Sequence, residues 1–132
     1  MNVVDASGWL EYFTDGPDAA FFAQTLQEVD KLVVPTMSIL DVFRHVYRHG
    51  DEGDALQAAA AMQQGRVVGL DTTAALSAGR LGIRHEVSPS AGVVLAAARA
   101  HDARIWTLDE ELRSVEGVQY RPRTGPAAWS SD

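Results

Sequence analysis

Short apolar runs alternate with longer amphipathic stretches along the chain. Asn2-Val3-Val4 is apolar and stops at Asp5, the pattern of a buried strand. Ser7 is placed to cap a helix carrying Trp9, Leu10 and Phe13, which Asp15-Gly16-Pro17 breaks. Asp18 to Asp30 reads as a second helix with Phe21, Phe22, Leu26 and Val29 roughly on one face, and Leu32-Val33-Val34 as a second strand closed by Pro35. A third helix runs from Thr36 or Ser38 to about His49. Its predicted apolar stripe is Leu40, Phe43, Val46 and Tyr47, with Asp41, Arg44, His45 and Arg48 opposite and Gly50 as the stop. A fourth helix opens at Asp51 or Asp54 and ends by Gly65. Residues 66–70 read as a third strand, and Asp71-Thr72-Thr73 caps a fifth helix ending near Gly82. Ser88-Pro89 opens a sixth helix, almost wholly apolar from Val93 to Ala97 and therefore the most buried. Residues 104–107 and 118–120 are the fourth and fifth strands.

This alternation predicts an α/β fold, a three-layer α/β/α sandwich on a mostly parallel, five-stranded sheet. Pairs of helices between the first three strands suit long right-handed crossovers. Residues 1–121 form one domain and 122–132, with two Pro and one Gly, an irregular C-terminal tail.

Composition narrows the chemistry. The chain has 132 residues and no cysteine, which excludes disulfides, thiolate catalysis and zinc–thiolate sites and is compatible with a reducing cytoplasm. No apolar run approaches a membrane span, and Met1 to Asp5 lacks the basic start of a signal peptide, so a cytoplasmic location is expected. Eighteen acidic residues against eleven basic ones give a net charge of −7, which argues against a broad phosphate-binding surface but leaves local basic sites open. Ten of the eleven basic residues are Arg, the better fork for phosphate or carboxylate.

In an open parallel sheet, ligands bind beyond the carboxyl ends of the strands. Asp5 ends the first strand, Asp109 follows the fourth, Asp71 follows the third, and Asp41 sits early in the helix after the second. With strands 1 and 4 adjacent, Asp5 and Asp109 face one another. Clustered carboxylates without basic partners repel, and such a cluster implies a hard divalent cation that activates water against a phosphodiester. Each acid also has a plainer reading. Asp5, Asp71 and Asp109 are all placed to cap helical turns, and Asp41 to pair with Arg44 at i+3. None of the four histidines has metal-ligand spacing, and Trp9, Trp106 and Trp129 are scattered as core and tail residues rather than as a stacking platform. A phosphoacceptor receiver domain fits poorly. It needs a Lys after its last strand, and the only Lys is Lys31.

Taken together, these blocks carry a family resemblance. Val3-Val4-Asp5-Ala6-Ser7 resembles the opening of PIN-domain proteins, a strand ending in Asp followed two residues later by Ser or Thr. Val34 to Arg44 is similar to the family's second block, with Asp41 where a Glu is usual. Ser88 to Asp109 is similar to the closing block, an Ala-rich helix, a turn, a strand and Thr-x-Asp. Length and the lack of extra domains resemble the VapC-type toxins of toxin–antitoxin pairs.

The resemblance implies a cytoplasmic endoribonuclease dependent on Mg2+ or Mn2+. Asp5 would be the central metal ligand, Asp41 a ligand or water-orienting acid, Asp109 the acid after strand 4, and Ser7 and Thr107 supporting hydroxyls. Glu111 matches a more variable acidic position. The family's Asp near the start of the sixth helix falls on Ala91, which cannot bind metal. A naturally degenerate binding module and a deliberately silenced nuclease both explain Ala91. Compensation by Glu86 or His85 fits worse, because their spacing is wrong for one helical turn. The implied partners are a small antitoxin with a basic tail, an RNA gripped at Arg44, Arg48 and Arg84, and a second copy in a homodimer through helices 2 to 4. The alternative is a non-catalytic PIN-fold module that binds protein or RNA.

Overall fold

The computed structural model describes residues 1–126; positions 127–132 of the expected tail, Trp129 among them, lie outside the described residues. Five strands, β1 (Asn2–Val4), β2 (Val33–Pro35), β3 (Arg66–Val68), β4 (Arg104–Thr107) and β5 (Val118–Tyr120), are separated by helices. These are α1 (Ala6–Phe13) and α2 (Ala19–Gln27) before β2, α3 (Thr36–His49) and α4 (Glu52–Met62) before β3, and α5 (Thr72–His85) and α6 (Pro89–Ala100) before β4. Every strand pairing is parallel, in the orders β1-β4-β5 and β2-β3. The two ladders meet through one bridge, Asn2 to Leu32, so the expected five-stranded sheet is narrowed to a single contact between β1 and β2.

Strand alternation sorts the core into two layers. Val3, Val33 and Ile105 face α5 and α6, where Val93, Val94 and Leu95 are buried with them. Val4 and Val34 point the other way, into Trp9, Leu10, Phe22, Leu26, Val42 and Met62 from α1 to α4. Helix α6 is the most buried, as its composition predicts, with every residue from Ala91 to Ala96 inside. It lies so close to α5 that a Cβ on Gly92 would stand 2.5 Å from the Ala78 carbonyl oxygen. Gly92→Ala should therefore cost about 2 kcal/mol through forced separation of the helices, read as a lower urea midpoint. Gly79→Ala on the same pair of helices, with nothing within 4 Å, should be neutral or stabilising.

Several sequence expectations change, among them the cap of α1, which Asp5 supplies in place of Ser7, and β3, which ends at Val68. The predicted stripe of α3 faces the core only in part: Val46 packs against it, but Leu40 and Tyr47 are 54% and 47% exposed, while Ser38 and Val42 are buried. Periodicity finds an apolar face, but a face that points to solvent has the same period as one that points inward. Helix α5 runs past Gly82 to His85, and Glu86 ends it with a left-handed φ of 56°. The second helix stops at Gln27 and hands over to a separate 3-10 turn, Val29–Lys31.

Candidate functional site

β1 and β4 are adjacent and in register, Val4 opposite Trp106, so the chain leaves both strands on the same edge of the sheet. Asp5 follows β1 with extended backbone, and its side chain accepts from the Gly8 N–H at 3.2 Å. It thus caps α1, as the plainer reading holds. The same carboxylate also anchors a hydrogen-bonded ring. The Ser7 hydroxyl donates to Asp5 Oδ1 at 2.6 Å and the Thr107 hydroxyl to Oδ2 at 2.7 Å. In turn Ser7 Oγ accepts from the Leu108 N–H at 3.0 Å, and Thr107 Oγ1 from the Asp109 N–H at 2.8 Å. Both hydroxyls therefore donate to the acid and accept from the segment after β4. Their rotors are fixed, and the oxygens of Asp5 are aimed.

Asp5 is only 7% exposed. Burial pushes its carboxyl up to about 6, against the lowering effect of the Ser7, Thr107 and Gly8 hydrogen bonds, and the charge of Asp109 adds to the rise. Burial also raises Asp109. The Glu111 N–H that Asp109 caps and the charge of Arg123 oppose this, while Glu111 and Glu110 reinforce it. Asp5 and Asp109 thus both resist ionisation, the kind of perturbation that clusters at functional sites.

Asp5, Ser7, Asp41, Ala91, Asp109 and Arg123 line one cleft of about 500 Å3. The three expected acids and Ser7 are thus brought together, and Thr107 lies beneath them, fully buried. Ala91 is 5% exposed, in the first turn of α6, on the wall where the missing carboxylate is expected. Glu111 is not in the lining. Its carboxylate accepts the Ser88 N–H at 2.7 Å, tying down the entrance of α6, and its neighbour Glu110 takes the place in the cleft. Neither His85 nor Glu86 lines it, which removes the proposed compensation for Ala91. No histidine lines it either, and His45 and His49 stack on each other on α3 with ring centres 6.4 Å apart. Asp71 is a helix cap, accepting from the Ala74 N–H at 2.8 Å.

The arginines expected to hold RNA lie elsewhere. Arg44 and Arg48 border the exposed face of α3 with Leu40, Phe43 and Tyr47, and Arg84 borders a separate cavity near His85. The arginine of the cleft is Arg123, from the segment expected to be an irregular tail. Tyr120 and the buried Ser38, which the sequence offered only as a strand residue and a candidate helix start, are further lining residues. Ser38 carried one available signal, its place three residues before Asp41 on a helix.

Among the described residues no three acidic or imidazole groups close around one point as an all-protein cation cage requires. The donor set is hard oxygen and fits a cation such as Mg2+ or Mn2+ that keeps several waters and takes one or two carboxylates. The hydroxyls on Asp5 fit the same chemistry, since ligating carboxylates are themselves held by hydrogen bonds.

The PIN domain family profile matches residues 3–118. The fold is similar to VapC20 of Mycobacterium tuberculosis, a sarcin-ricin loop cleaving toxin, with TM-score 0.74 and 18% identity over 92% of this chain and 100% of that one. It is also similar to a toxin–antitoxin complex from Klebsiella pneumoniae, with TM-score 0.71 and 14% identity over 89% of this chain and 95% of that one. A third similar structure is the DNA-bound VapBC of Salmonella typhimurium, with TM-score 0.68 and 13% identity over 92% and 98% of the two chains. Comparison with curated protein sequences gives no match. With its profile spanning both ladders, and its acids standing at the ends of β1 and β4, the chain belongs to the PIN domain family.

Proposed function

We propose that the chain is the toxin of a toxin–antitoxin pair and cuts RNA as an endoribonuclease dependent on Mg2+ or Mn2+, with activity lowered by Ala91. The ring of Ser7, Thr107 and Asp5, opening into a cleft shared with Asp41 and Asp109, carries this reading. Asp5 and Asp109 would hold the cation, with Asp41 as a third ligand or as the acid that orients water. When bound, the cation supplies an activated water and offsets the charge that develops on the phosphodiester. Ser7 and Thr107 keep Asp5 facing it. Asp41 is one methylene shorter than the usual Glu, so it reaches a cation through water more readily than directly.

The toxin role is supported by the fold shared with VapC20 and the VapBC complexes. A basic antitoxin tail suits a chain of net charge −7 and a cleft lined by acids. The exposed apolar face of α3 suits a homodimer or antitoxin contact. Arg44 and Arg48 at its edge would touch RNA away from the cleft, as would Arg84. No helix among the described residues is long and apolar enough to cross a membrane, and a cytoplasmic location fits the reading.

Ala91 favours a second reading, a PIN-fold module that binds RNA or protein without cutting it. The deciding experiment is incubation of a mixed RNA pool with the chain in Mg2+ or Mn2+, against an EDTA control. Cleavage that EDTA abolishes supports the enzyme. Binding without cleavage, in this chain and in one with the acid restored at position 91, selects the module.

A further inference from the structure

The segment after β5 is tied down by one carboxylate. Asp18, at the start of α2, is 1% exposed, and its side chain is bonded by Arg121 and Thr124 of this segment. Arg121 Nε donates to Oδ1 at 2.7 Å, the Thr124 N–H to Oδ2 at 2.7 Å, and the Thr124 hydroxyl to Oδ1 at 2.9 Å. The Arg121 guanidinium also lies over the Phe21 ring, 6.0 Å from its centre, and the Arg121 N–H donates to the Thr107 carbonyl. Asp18 is itself braced. Its N–H donates to Oε2 of the buried Glu11 at 2.8 Å, and Gly16 makes room for that carboxylate, since a Cβ there would collide with it.

Burial alone would raise the Asp18 carboxyl, but the Thr124 N–H, the Arg121 guanidinium and the Thr124 hydroxyl together hold it below the usual range. The lock is therefore charged at neutral pH. Between its two pinned positions stands Arg123, which enters the acid cleft. Fixing Arg121 on one side and Thr124 on the other removes much of the entropy that a tail arginine would lose on meeting a ligand.

A cleft lined by Asp5, Asp41, Asp109 and Glu110 repels a phosphodiester. The Arg123 guanidinium at that wall, whose charge already acts on Asp109, supplies the positive charge and N–H donor chemistry that a phosphate takes. We propose that Arg123 is the phosphate-binding residue of the acid cleft, and that Asp18 is the positioning residue that holds it there by clasping Arg121 and Thr124. This rests on the nucleic-acid reading above, and its test can fail separately from that reading.

The test is fluorescence anisotropy of a short labelled single-stranded RNA, with calcium in the buffer, across a salt series. Arg123→Gln should weaken binding about tenfold at low salt and reduce the slope of log K against log salt by about one phosphate contact. Arg123→Lys should keep the slope while losing part of the affinity. Thr124→Val, which removes one hydroxyl from the lock and leaves the fold intact, should weaken binding severalfold with Arg123 present and not at all in the Arg123→Gln background. Asp18→Asn should do the same more strongly, scored only where thermal unfolding shows a folded chain. RNA binding with unchanged affinity and slope in Arg123→Gln overturns the proposal and leaves the nucleic-acid reading standing. Equal losses from Thr124→Val in both backgrounds overturn the positioning role of the lock. Absence of RNA binding by every form overturns the nucleic-acid reading and this proposal with it.

Discussion

The Ala91→Asp variant is expected to cleave an RNA pool at least tenfold faster than the unaltered chain in Mg2+ or Mn2+, and Asp5→Asn in that variant to abolish the gain. Position 91 lines the cleft with Asp5 and Asp109 and is 5% exposed, so a carboxylate there has no route to bulk water except through the site. It stands in the first turn of α6, where the helix dipole favours a negative charge and the Ser88 hydroxyl already caps the Ala91 N–H. Even changes to groups that only support metal ligands shift affinity or activity by about 10- to 100-fold, so restoring a ligand itself should do no less. Cation binding reports the same change without turnover. Mn2+ should raise the melting temperature of Ala91→Asp more than that of the unaltered chain, because a ligand stabilises the folded state according to its affinity. Equal cleavage by both forms would show that Asp5, Asp41 and Asp109 suffice. No cleavage and no Mn2+ stabilisation in either form would refute the enzymatic reading.

What could be read from the sequence, and what could not, follows from the range of the interactions. Strand ends are local signals. Val4 gives way to Asp5, and Thr107 precedes Asp109 by two, so both acids could be placed at the carboxyl edge before any contact was known. The adjacency of β1 and β4 rested on a conditional that the parallel register bears out. Helix α6 declared its burial by having almost no polar side. The misplaced features depend on distant partners. Nothing near Arg123 in sequence says that it enters the cleft; that is decided by Asp18, whose bond to Arg121 spans 103 positions. The exchange of Glu110 for Glu111 in the lining turns on one residue of phase in a 3-10 turn that is only three residues long. The outward stripe of α3 shows a further limit. Amphipathicity marks a surface that seeks burial without saying whether the chain itself supplies the cover.

The second large effect concerns stability, and it is opposite in sign to the effect on function. Asp5→Asn should make the metal-free protein more stable at pH 8, by about 1–3 kcal/mol, and leave it unchanged below pH 4. Burial raises Asp5 from 3.8 to about 6. Between those values the folded chain holds a proton that the unfolded chain has released. The contribution of Asp5 to stability is therefore most favourable below pH 3.8, falls as the pH rises through 6, and stays reduced above it. The full shift corresponds to about 3 kcal/mol. Asn removes the buried charge but cannot accept at both oxygens, so Thr107 must reverse its hydrogen bond, which takes back part of the gain. Urea unfolding in EDTA at pH 4 and pH 8 reads both limits. An Asn variant less stable than the parent at pH 8, or one with the same advantage at both pH values, would refute the account. The same carboxylate that costs stability in the empty cleft is the one that Mn2+ relieves, so adding Mn2+ at pH 8 should stabilise the parent chain and leave Asp5→Asn where it was.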